Sequence, residues 1–255
     1  MTGTTVRGRL SALGRAELTL LLRNRSAVFV ALLVPVVMVV AMKSSLESVD
    51  LAGTGVTVAG AALSGGVGMV LIQVVYMNLV AAYVARREDL VLKRLRTGEV
   101  PDREILTGTA MPSVALALAQ TVLMISVGAA VFGLGGPRRP ELLAAGLLVG
   151  VVMLTALAAA TSAVTRTVQT AQLTTLPLFL VSMVGSGLFV PLDVLPDGIA
   201  EVCELLPMTG VMTLVRTGWL GGEGAGLLGA GLNALAWTAL AVFAVQRRFR
   251  WEPRR

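Results

Sequence analysis

Six stretches of the chain run without a single Asp, Glu, Lys or Arg: 27–42, 56–85, 105–134, 142–165, 167–192 and 224–246. A helix needs about 20 mostly apolar residues to cross the hydrocarbon core of a bilayer. Five of the stretches meet that length. The first is short and holds Pro35, and it reaches Leu46 if Lys43 extends its ammonium to the headgroups. Helices on the surface of a soluble protein alternate an apolar stripe with a polar one. Val28-Phe29-Val30-Ala31-Leu32-Leu33-Val34 and the run 142–160 are apolar all round instead. The pattern predicts an all-α polytopic membrane protein with six transmembrane helices. A cleaved leader is not expected, because 26 residues precede the first apolar run and five more spans follow it.

Composition agrees. The 255 residues are 55% hydrophobic and only 14% charged, against roughly a quarter charged in a soluble domain. There is no histidine, one cysteine (Cys203), and two lysines (Lys43, Lys93) beside nineteen arginines. These absences exclude a Ser-His-Asp triad, histidine zinc sites, an imidazole proton shuttle and an internal disulfide. Neither lysine follows glycine, so neither can close a Walker A loop, and the chain has no ATP-hydrolysing motif.

The basic residues sort by loop. Seventeen fall in the amino-terminal tail, the loop between spans two and three, the turn at Arg166 and the carboxy-terminal tail. Four (Lys43, Arg138, Arg139, Arg216) fall on the opposite side. Basic residues collect on the cytoplasmic side, so both termini are expected there, in the cell membrane. The net charge of +6 is then a topological signal; no groove-reading motif or aromatic-interleaved basic strand points to nucleic acid. The stretch 7–25 intersperses Leu10, Leu13, Leu18, Leu21 and Leu22 with five arginines, which suits a helix lying in the headgroup plane.

Ion-coupled carriers commonly place ionisable groups within their spans. Here the polar groups at that depth are amides and hydroxyls: Gln73, Tyr76, Asn78, Gln120, Gln169, Gln172 and Asn233. They form hydrogen bonds but relay no proton at neutral pH. Active transport would need energy from a partner; a passive channel, or a carrier using backbone-carbonyl ion sites, would not, and both alternatives stay open at this point. Small residues recur every four positions at Gly60-Ser64-Gly68, Gly146-Gly150, Ala158-Ser162 and Gly222-Gly226-Ala230-Ala234, which predicts close helix approach. On an α-helical count Gln73, Tyr76, Met77, Val80 and Val84 share one face of the second span, a mixture that suits an amphiphilic organic compound.

The loop 86–104 reads Arg86-Arg87-Glu88-Asp89-Leu90-Val91-Leu92-Lys93-Arg94-Leu95-Arg96-Thr97-Gly98-Glu99-Val100-Pro101 at its start. Leu90/Val91 and Arg94/Leu95 lie at helical spacing, Thr97-Gly98 ends the helix and Pro101 stops it. The region 193–223 holds Asp193, Asp197, Glu201 and Glu204 interleaved with Ile199, Val202 and Leu205, an acidic amphipathic helix at the outer surface. Pro191, Pro196 and Pro207 break it from its neighbours.

Arg87-Glu88, the 90–96 run, Pro101 and Leu106-Thr107-Gly108, with Phe189-Val190-Pro191, Leu195-Pro196, Leu206-Pro207 and Arg216-Thr217-Gly218, resemble the type-2 permeases of ATP-binding-cassette (ABC) transporters, the bacterial drug-export permeases above all. The resemblance spans nearly the whole chain. It implies that 86–104 carries a cytoplasmic coupling helix docking on a separate ATPase subunit, through Arg87, Glu88, Leu90, Lys93, Arg94, Leu95 and Arg96. It implies short extracellular re-entrant helices before the last span, with an outer gate at Phe189, Pro191, Pro196 and Pro207. It implies that spans two and five line a translocation path, here Gln73, Tyr76, Met77, Val80, Gln172 and Phe179. It also implies a second permease copy, homodimeric or heterodimeric, export of a drug, antibiotic or lipid, and ATP and magnesium held by the partner, with no cofactor on this chain.

Overall fold

The computed structural model describes residues 58–91, 101–133, 135–188, 196–222 and 226–249, with ten scattered helical positions between 19 and 40. All regular structure among the described residues is helical. Val58–Val70, a π-helical Leu71–Met77 and Asn78–Glu88 follow one another without a break and form α1. Then come α2 (Asp102–Phe132), α3 (Pro140–Val164), α4 (Val168–Gly185), α5 (Asp197–Glu204), α6 (Pro207–Leu220) and α7 (Leu227–Arg248). Among the described residues five helices are long and apolar enough to cross a membrane, and α5 and α6 form a pair bent by 90°. The first predicted span lies largely outside the described residues; within it Phe29, Leu33, Val34, Val37 and Val40 are helical and exposed, and Val39 is buried.

The helix ends follow local chemistry. Pro101, Pro140 and Pro207 stand at or just inside helix starts, where a missing amide proton costs nothing. Gly133 ends α2 with φ 63, a conformation open to glycine without strain. Thr167 and Thr170 form a reciprocal capping box that starts α4 three residues after α3 stops.

At the core is α1, mostly buried, with Leu63, Leu71, Ile72, Val75, Leu79 and Val80 fully enclosed. The resemblance implied short re-entrant helices before the last span, and α6 is one, buried between α1, α3 and α7 with ten of its residues inside. Small residues make room for it. A Cβ on Gly146 or Gly150 of α3 would meet Leu214, Val215 or Val211 of α6, and one on Gly68 of α1 would meet Met212. A Cβ on Gly210 would run into the Ala230 carbonyl of α7. In lipid such close contact holds helices together, since the solvent offers no hydrophobic force between them. The ridge Gly146-Gly150 and Gly68 of the first ridge thus pack within the chain, whereas a Cβ on Gly222 or Gly226 would meet nothing.

Candidate functional site: the basic end and the exposed flank of α1 and α4

One end of the bundle gathers the termini of α1, α2, α3 and α7. Tyr83 donates its hydroxyl to the Leu106 carbonyl at 2.9 Å and meets Phe249 edge-to-face, with ring centroids 6.3 Å apart. Arg86, Arg87, Arg103, Arg166 and Arg247 all belong to this end. At the opposite end the amides of Arg138 and Arg139 donate to the Trp219 and Gly218 carbonyls, beside Arg216. The two-sided sorting of charge read from the loops is therefore a two-ended geometry.

Arg87 dominates the basic end. It stands on the last turn of α1, yet its side chain is buried, the largest among those that are fully so. Its guanidinium donates to Ser162 O at 2.8 Å, to Thr165 O, and to Arg166 O at 3.4 Å. These are carbonyls at the carboxy-terminal end of α3, which lack helical partners and carry the negative end of the helix dipole. A buried cation is tolerated when it is so satisfied, and strongly disfavoured otherwise. The same turn is tied further: the Thr165 and Thr174 hydroxyls lie 2.8 Å apart, joining α3 to α4.

This alters the reading of the loop. Arg87 does not project toward a partner; it fastens the end of α1 to the α3–α4 turn. Glu88, Asp89 and Leu90 are exposed, and Leu90 adopts φ 57, so α1 ends there and Val91 is helical again beyond the break. Lys93, Arg94, Leu95 and Arg96 lie outside the described residues. The clue to Arg87 was available: it follows the enclosed Val80 and Tyr83 at seven and four residues, on the inward face of α1.

The path residues divide. Tyr76 is buried with its hydroxyl 3.0 Å from the Thr161 Oγ1, and Val80 is fully enclosed, whereas Gln73 and Asn78 are exposed and Met77 is half-buried. The expected common face fails because of the π-helix. Its i→i+5 bonding, seen where Asn78 N donates to Gln73 O, inserts one extra residue and rotates everything after it. On α4, Gln172 is exposed with Leu173, Leu176 and Leu180, and Phe179 is half-buried. α4 packs along the second half of α1, and each helix keeps an exposed glutamine, Gln73 and Gln172.

At the far end, Phe189 and Pro191 lie outside the described residues. Pro196 starts α5 and is exposed; Pro207 starts α6 and is buried. The carbonyls that end α5 are held by α7: Trp237 Nε1 donates to Leu205 O at 2.8 Å and Asn233 Nδ2 to Glu204 O. Arg216 of α6 donates to Gly187 O. Sequence reasoning missed these three anchors, although Arg216 interrupts an otherwise apolar helix.

A family model described as ABC-2 type transporter matches residues 9–220. The match takes in most of the chain. The protein belongs to the ABC-2 type transporter family. No curated protein matches it. This ABC transporter permease is accordingly a multi-pass membrane protein, and the buried α6 is part of its membrane domain.

Proposed function

We propose that the ABC-2 permease exports an amphiphilic, hydrophobic compound, drug-like, antibiotic-like or lipidic, across the cell membrane, driven by a separate ATPase subunit. Both termini and the loop 86–104 face the cytoplasm. Two permease copies, alike or different, together form the path, with the open flanks of α1 and α4 facing one another or the central cavity. Each coupling loop receives the ATPase, which holds the ATP and magnesium, and the exposed Glu88 and Leu90 with Lys93, Arg94, Leu95 and Arg96 make the contact. Phe189, Pro191, Pro196 and Pro207 belong to the outer gate. Alternating access follows when closure of two ATPases pushes both loops and the bundles rock.

The Arg87 clamp supports this reading most strongly. A force applied just beyond residue 88 reaches a helix end that is fastened to the α3–α4 turn by buried, charge-assisted bonds. A lever needs such a fixed joint; a loop merely solvated near lipid does not. The test is transport of a lipophilic dye in proteoliposomes holding the permease and its ATPase. ATP-dependent uptake is expected, and the double charge reversal Arg94→Glu with Arg96→Glu should abolish it while ATP hydrolysis continues. Uphill transport without the ATPase would overturn the proposal in favour of an ion-coupled carrier.

A further inference from the structure

A groove of about 720 Å³ runs up the outside of the bundle between α2, α3 and α7, on a face that the transport reading leaves unused. Its walls are mostly apolar: Ala110, Val114 and Leu118 of α2, Val152 and Ala156 of α3, Val242 of α7. Arg103, Thr107 and Gln246 line it at the basic end, and midway along α3 the Thr155 hydroxyl is a polar group in the wall. Arg247 follows Gln246 on the same turn and lies over the Phe243 ring, its guanidinium carbon 5.0 Å from the centroid. Asp102 and Glu104 flank Arg103 and have interaction partners of their own. From Leu106 to Leu118 is about 18 Å of helix. One leaflet of the hydrocarbon core is about 15 Å deep.

We propose that this groove is a binding site for one anionic phospholipid of the leaflet at the basic end, acyl chain between α2 and α3, phosphate on Arg103. The depth of the apolar part fits a single leaflet, and the cation stands where a phosphate lies. The membrane supplies this occupant by construction. A helix of a second copy seated there would press apolar side chains onto Arg103 unless it brought its own acid. That the leaflet is the cytoplasmic one rests on the orientation proposed above; the site itself does not rest on transport.

Native mass spectrometry of the full chain, exchanged into equal phosphatidylglycerol and phosphatidylcholine, tests it. Preferential retention of one phosphatidylglycerol is expected. Arg103→Gln should reduce the preference about fivefold, the worth of one arginine at an anionic surface. Ala156→Phe, which fills the groove without touching the charge, should lower retention of both lipids at this site and serves if Arg103→Gln does not fold. Equal retention of the two lipids by the unmodified chain, an unchanged ratio in Arg103→Gln, unchanged occupancy in Ala156→Phe, or a second copy cross-linking through the groove would each overturn the proposal. None of these outcomes depends on ATP or on an exported compound, so a failure here leaves the export reading standing, and the reverse.

Discussion

Arg87 and Arg216 are both arginines that end on backbone carbonyls, at opposite ends of the same bundle, and they differ in what they hold. Arg87 is enclosed and closes the terminus of a continuous 25-residue helix, α3. Arg216 is half-buried and grips Gly187, whose φ of 71 places it in a tight turn between helices. The basic end is thus built from long helices fastened at their tips. The opposite end adds short pieces: α5, held by the Trp237 and Asn233 side chains, and α6, packed between α1, α3 and α7. A machine driven from one side needs that asymmetry: stiffness where force enters, and separable joints where a path would open.

The largest effect is expected where the enclosed cation is removed. Arg87→Met leaves several buried carbonyls of α3 without a donor and should cost about 3–5 kcal/mol. Arg216→Met should cost less, about 1–2 kcal/mol, because its neighbourhood is partly open. Thermal melts of the purified permease in detergent measure both. Equal losses would remove the distinction between the two ends.

The next effect sharpens the comparison within the membrane. Gly210→Ala forces a methyl against the Ala230 carbonyl, backbone that cannot turn aside, and should cost about 1–3 kcal/mol. Gly229→Ala meets nothing and gains helix propensity, so it should be neutral or stabilising by about 0.5 kcal/mol. If both melt alike, α6 is not wedged against α7 as described.

What the chain discloses about itself divides along the same line. The helices α1, α2, α3, α4 and α7 were legible because long uncharged windows have few alternatives to crossing a bilayer. The burial of α6 was legible only through the motifs that carry the family resemblance: at 14 residues, with Arg216 and three threonines, it is too short and too polar for any window to count as a span. Nothing in Leu71–Met77 marks a π-helix, since the extra residue is stabilised by packing around α1 and not by local propensity. Position along the chain puts Arg87 in the charged loop, but the face of α1 that it shares with Tyr83 decides its burial. The π-helix and the inward turn of Arg87 displaced the expected path face and one expected coupling contact.

The smallest effect probes the joint between α5 and α6. Trp237→Phe keeps the ring's bulk but removes the donor to Leu205 O, leaving a carbonyl at a 90° bend with one bond fewer. Interhelical hydrogen bonds in membranes are worth about 0.6 kcal/mol on average. A small loss of stability is therefore expected, about 0.5–1 kcal/mol, too little to unfold the bundle. If the bend moves during export, loosening it should alter dye transport more than it alters the melting temperature. Transport unchanged in Trp237→Phe, at unchanged ATP hydrolysis, would mean that the short helices form a static cap, and that the asymmetry between the two ends concerns stability alone.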